Sequence, residues 1–206
     1  MISGHPFVIG ALACLAVTEV PPSTRVQYGI DARQSRLVVE TRTDGVTSIF
    51  AHDHRIEARG ITGSMTFTPN FPDTAALEVK VRADSLRLTD AGVADKNQRK
   101  IEAWIRRALG TDRYGEILFR STRISAEPLG DRLFEVQISG ELLLHGRRKP
   151  VTVPAQVFLR ADMVRAKGSL RLRQTDFGIT PASLVDGTVT AQDEVTLTFD
   201  IVCLRR

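Results

Sequence analysis

The sequence predicts an all-β fold, an antiparallel barrel of about eight to ten strands carrying one amphipathic α-helix. Three observations lead there. Most apolar residues fall in period-two runs, the alternation of a strand with one apolar and one wet face. Only one stretch, Asp95 to Leu109, changes to helical period. The runs are broken by short turn-rich segments rather than by long helical patterns, which favours hairpins over parallel crossovers.

The clearest hairpin is Phe134 to Val157. Val136, Ile138, Leu142 and Leu144 share one parity with Gly140, while Glu135, Gln137, Ser139 and Glu141 share the other. His145-Gly146-Arg147-Arg148 interrupts the pattern, with Gly146 able to take a positive φ. Alternation resumes after Pro150 with Val151, Val153, Ala155, Val157 and Leu159.

From the N-terminus, Pro6 to Val17 is an apolar run too short to span a bilayer. It has the length of a signal-peptide core, although no Lys or Arg precedes it. Residues 1–24 therefore read as an export segment with a Pro21-Pro22 linker, the alternative being an N-terminal extension of a cytoplasmic protein. The domain is expected over 25–206. Strands follow over Val26–Asp31, Ser35–Thr43 and Thr47–Ala51. His52, Asp53 and His54 then form a polar cluster, read as a turn whose imidazoles bond backbone groups or line the barrel mouth. Leu77, Val79, Val81 and Ala83 alternate with Glu78, Lys80, Arg82 and Asp84.

In the helical stretch, Ile101, Trp104, Ile105, Ala108 and Leu109 form one apolar stripe, Lys96, Arg99, Lys100, Arg106 and Arg107 occupy other faces, and Gly110 can end the helix. The helix either plugs an end or flank of the barrel or lies transiently on a membrane surface. The C-terminal half continues with Ile117–Thr122, then Val164, Ala166, Gly168, Leu170 and Leu172, and finally Val195, Leu197, Phe199 and Ile201.

Composition excludes several classes. Hydrophobic residues are 42% and charged residues 25%, the balance of a folded globular domain rather than a disordered chain. A net charge of +4 is compatible with an anionic partner. Aromatics are only 6% and never alternate with basic residues, so nucleic-acid binding is not supported. Cys14 and Cys203 have no neighbours at metal-ligand spacing. No G-x-S-x-G elbow, H-E-x-x-H motif or glycine-rich phosphate loop occurs, so no catalytic residue is assigned. Asp53 and His54 with a serine such as Ser35 would be the one hydrolytic triad to consider. His52, His54 and His145 are the alternative metal-ligand set.

These motifs resemble, in order, those of the YceI-like family of lipid- and polyisoprenoid-binding proteins. The matching stretches are Tyr28-x-Ile30-Asp31 with Ser35, Ser85-Leu86, Tyr114-Gly115-Glu116-Ile117-Leu118-Phe119-Arg120-Ser121-Thr122, Gly140 through Gly146 with Lys149-Pro150-Val151, Asp176-Phe177-Gly178-Ile179, and Asp193-Glu194-Val195. Gln34 stands where the family usually has His, and Gly115 where it usually has Pro. The resemblance implies an extended lipocalin-like barrel with a long isoprenoid chain in its lumen. The lipid would be a quinone or polyprenyl phosphate, held between Leu77, Val79, Val81, Val136, Ile138, Leu142, Leu170 and Phe199, with Trp104 at one end. Small residues on the inward rows (Ala83, Gly140, Ala155, Ala166, Gly168) are expected to leave room for it. A periplasmic or secreted location follows from the export reading. A homodimer stays open, and a packed barrel serving as a partner-binding module is the competing reading.

Overall fold

The computed structural model describes residues 25–44, 53–68, 71–91, 93–181, 183–184 and 189–206. The expected N-terminal segment, the strand at Thr47–Ala51, His52 and Cys14 lie outside the described residues.

The strands are β1 (Val26–Ile30), β2 (Arg36–Asp44), β3 (His54–Ala58), β4 (Ile61–Thr68), β5 (Phe71–Arg82), β6 (Leu86–Leu88), β7 (Glu116–Pro128), β8 (Leu133–Leu144), β9 (Arg147–Leu159), β10 (Met163–Arg173), β11 (Ser183–Leu184) and β12 (Val189–Arg205). The single α-helix is α1 (Asp95–Ala108). All strand pairing is antiparallel, in the order β1-β4-β5-β7-β8-β9-β10-β12, and β12 returns to pair with β1. The wall therefore closes, each strand of that circuit being paired on both sides over part of its length. The predicted all-β barrel with one amphipathic helix is the fold observed.

The remaining pieces extend this circuit. β1 and β2 both lie along the same side of β12, through Ile30↔Cys203 and then Arg36↔Asp200. β3 runs on into β4, and β5 into β6, with the pairing carried through on both sides of each break. Three kinked strands thus each count as two.

Serine side chains mend two of the kinks. Ser35 Oγ accepts from the Val202 N–H at 3.0 Å and donates to the Val202 carbonyl at 3.3 Å. It replaces the backbone bonds lost where β1 gives way to β2. Ser85 Oγ accepts from the Gly60 N–H at 2.9 Å and donates to the Arg82 carbonyl at 2.7 Å, joining the breaks of two neighbouring strands. Both serines are buried, where an unpaired backbone N–H would be costly.

The turn between β8 and β9 is two residues long, with Leu144 opposite Arg147. His145 (φ 50°) and Gly146 (φ 70°) both adopt the left-handed region, as a type I′ turn requires. Such a turn makes Leu144 and Arg147 a hydrogen-bonded pair, and bonding then alternates along β9. The even-numbered residues of β9, Pro150 and Pro154 among them, consequently direct their backbone toward β10. Proline has no N–H to give. The β9–β10 ladder runs from Leu159↔Val164 to Ala155↔Gly168 and ends there, at the first of these prolines it meets. Beyond it, Arg147–Pro154 pairs only with β8, and Ser169–Arg173 only with β12.

Helix α1 joins β6 to β7 at one end of the barrel, as the period change predicts. Ile101 and Ile105 are buried and Trp104 packs against them. Burial of each isoleucine contributes about 1.5–3 kcal/mol. Glu102 accepts from the Leu88 N–H at 3.2 Å and Gln98 donates to the Leu88 carbonyl at 3.4 Å, which ties the helix to β6. Gly110, at φ 56°, ends it. Among the described residues, no helix is long and apolar enough to cross a membrane.

Candidate functional site: the barrel interior

Because side chains alternate along each strand, one row per strand points inward. The inward rows include Leu37 and Val39 of β2, Leu77, Val79 and Val81 of β5, Val136, Ile138 and Leu142 of β8, Val153 and Val157 of β9, Leu170 of β10, and Leu197 and Phe199 of β12. These rows do not merge into one solid core. Buried side chains form three separate clusters. The largest gathers Tyr28, Ile56, Ile61, Phe67, Val81, Leu88, Ile105 and Ile201. A second consists of Ile124, Val136, Ile138 and Ala155. The third, at the helix end of the barrel, is Leu142, Phe177 and Ile179. Partly exposed residues bridge them: Ala75, Val157 and Phe199 touch the first and second, and Phe119 touches the second and third. Leu109 and Ile117 touch the first and third, so the smaller clusters are satellites of the largest.

The nine residues expected to face a ligand all lie on this interior, but they divide. Val81, Val136, Ile138 and Leu142 are buried within the clusters. Leu77, Val79, Trp104, Leu170 and Phe199 keep exposed surface. Leu170 and its cross-strand partner Leu197 are partly exposed and are not among the side chains packed against the three clusters. Sequence reasoning left Phe119, Met65 and Leu197 out of the site; their parity with Ile117, Phe67 and Phe199 was the signal that marks them.

One expectation about space is corrected. A Cβ on Gly168 would lie 2.7 Å from the Phe199 ring, and one on Gly140 2.6 Å from the Phe119 ring. These glycines do not leave hollows. The far end of a phenyl ring sits over each, Phe199 directly across the ladder from Gly168.

Several motifs far apart in sequence meet at the helix end. The Tyr114 ring packs over Gly146 and contacts His145 edge-on at a centroid distance of 4.8 Å. His145 Nδ1–H donates to the Phe177 carbonyl at 3.1 Å. Gln174–Phe177 forms a short 3₁₀ turn ended by Gly178 at φ 71°. The Asp193 carboxylate accepts from Thr175 N–H at 2.8 Å and Thr175 Oγ1 at 2.7 Å. These bonds hold its pKa below the usual carboxylate range. The 3₁₀ turn carries Phe177, the most deeply buried large side chain, into the third cluster beside Leu172 and Val151.

His54 and His145 lie in separate settings. His54 begins a strand rather than sitting in a turn, and its Nδ1–H donates to Asp90 at 2.6 Å. The same carboxylate accepts from the Arg55 N–H at 2.7 Å. His145 belongs to the β8–β9 turn. Among the described residues, no group of three or more His, Cys, Asp or Glu is placed to hold a metal ion. The triad is also not assembled: His54 Nδ1 faces Asp90, and Ser35 Oγ is bonded to Val202. Cys203 is buried as a free thiol, its pKa pushed up to about 11 by burial. An open cleft of ≈ 420 Å³ lies where β1 meets the end of β12, lined by Gly29–Arg33 and Leu204–Arg206 and by none of the nine interior residues.

With the closed barrel and its divided interior described, comparison with known families becomes informative. Residues 28–203 match the YceI-like domain. The chain belongs to the YceI-like family. Solved structures agree in fold. BcnA of Burkholderia cenocepacia superposes with a TM-score of 0.64 at 17% identity, over 84% of this chain and 98% of that one. A polyisoprenoid-binding domain from Saccharophagus degradans, implicated in plant cell wall breakdown, gives 0.61 at 13% identity, over 88% and 99%. The YceI protein of Campylobacter jejuni gives 0.57 at 10% identity, over 79% and 91%. No curated protein is matched by sequence. In this member of the YceI-like family, Gln34 Nε2 donates to Asp31 Oδ2 at 2.7 Å, closing the turn between β1 and β2. The Gly115 carbonyl accepts from the Ala83 N–H at 2.9 Å.

Proposed function

We propose that this protein binds and carries, or sequesters, a long-chain isoprenoid or related lipid such as a quinone or polyprenyl phosphate, with its hydrocarbon inside the barrel. The observation that carries this reading is the interior itself: three buried clusters joined by apolar side chains that keep exposed surface. A hydrocarbon laid against Leu77, Val79, Leu170, Leu197 and Phe199 would remove that surface from water. Each buried CH₂ contributes about 0.8 kcal/mol, so a chain of several isoprene units binds tightly without any polar anchor. Family membership and the likeness to a polyisoprenoid-binding domain support the same reading. We read the role as binding rather than catalysis, and the site of action as periplasmic or extracellular on the strength of the apolar run at Pro6–Val17.

The test is solvent extraction of purified protein with mass spectrometry of the extract, followed by titration with an isoprenoid quinone. Co-purifying lipid or saturable uptake is expected. Leu170→Trp, which fills the interior, should lower uptake at least tenfold while leaving the thermal transition cooperative. Absence of both bound lipid and quinone uptake by the unmodified protein would overturn the reading.

A further inference from the structure

The outer face of α1 is a cationic strip. At the helical turn of 3.6 residues, Lys96, Arg99, Lys100, Arg106 and Arg107 fall within about 120° of arc, with Asp95, four residues before Arg99, at its edge. Among the described residues, none of the five forms an ion pair. The helix carries two acidic residues. Asp95 sits in the first turn, and Glu102 is turned inward onto the Leu88 N–H and Gln98. Elsewhere on the barrel several cations are paired: Arg120 with Glu78, Arg148 with Glu141, Arg165 with Asp200 and Arg173 with Asp193. The apolar side of the helix is committed to the protein, since Ile101 and Ile105 are buried and Trp104, Ala108 and Leu109 pack beside them.

We propose that this strip docks the helix end of the barrel onto an anionic phospholipid surface, by charge alone and without insertion. Clustered Lys and Arg near such a surface each add to binding, and the attraction decays within a Debye length, so it is salt-sensitive. Insertion would need the apolar stripe, which is buried against the barrel. A bilayer suits the strip better than a folded acidic partner, because the cations lie in a line on one convex helix rather than around a shaped pocket. The inference concerns the helix surface only, so it stands or falls separately from what the interior holds.

The experiment is co-sedimentation of the full chain with vesicles of phosphatidylcholine alone and of phosphatidylcholine mixed with phosphatidylglycerol. Binding is expected only to the anionic vesicles, and should disappear at high salt. The double reversal Lys96→Glu/Arg107→Glu should weaken it at least tenfold. A matched reversal on the opposite rim, Arg132→Glu/Arg160→Glu, should not. Trp104 is the sole tryptophan, so its emission reports on the helix alone and should not shift on binding. Equal binding to neutral vesicles, no binding to anionic ones, equal loss in both double variants, or a Trp104 blue shift would overturn the proposal.

Discussion

Ser35 shows how much one hydroxyl does where a strand is interrupted. Its Oγ is the partner of the buried Val202 N–H, so Ser35→Ala leaves that donor unsatisfied. The variant should lose about 1–3 kcal/mol, read as a lower midpoint in urea denaturation. Asp200 is a second informative residue. Arg165 holds it with two bonds of 2.7 Å, Lys167 stands at 3.3 Å, and these cations draw its pKa below the usual carboxylate value. A carboxyl with a lowered folded pKa contributes stability above its unfolded pKa, and that contribution is lost as pH falls through the folded value. Stability curves of the wild type and Asp200→Asn should therefore differ by about 0.5–1 kcal/mol near neutrality and converge in acid. Neither role was visible in the sequence beforehand. Ser35 looked like one motif serine among others, since its partner Val202, on the neighbouring strand β12, lies far away in the sequence. The partners of His54 and His145 were hidden for the same reason: spacing along the chain says nothing of Asp90 or the Phe177 carbonyl.

At the scale of elements, α1 was legible to its ends, because a helical period with a terminal glycine is a local signal. The Phe134–Val157 hairpin was legible for the same reason. The three broken strands were harder. β3 begins at His54, where polar residues suggested a turn, and only the ladders to β2 and β6 make it extended. The prolines of β9 could be read as irregularities, but not as facing β10, since that depends on the turn at His145-Gly146. A consequence can be measured. Pro154→Thr restores a donor aimed at β10, so amide exchange at Thr152 and Arg171 should slow as the ladder lengthens. Unchanged exchange at both amides would mean that something other than the missing N–H holds the strands apart.

For the whole molecule, alternation was enough to give the class, since amphipathic strands joined by short turns have few ways to hide their edges. It was not enough to give the content of the interior. Whether an inward row packs solidly or keeps exposed surface depends on where each neighbour's side chain lies, and Phe119 and Phe199 show this by covering the glycines that had promised space. Several motifs that looked like separate family marks turn out to be neighbours: Tyr114, His145, Gly146, Phe177 and Asp193 lie on a single rim.

Closure of the wall by β1 against β12 has an outcome of its own. Tyr28 lies opposite Arg205, so the first and final strands of the domain leave the barrel side by side, on the rim away from α1. A short peptide could bridge the two and let the chain be reopened in the loop at Gly130, giving a circularly permuted barrel whose cationic rim and interior remain untouched.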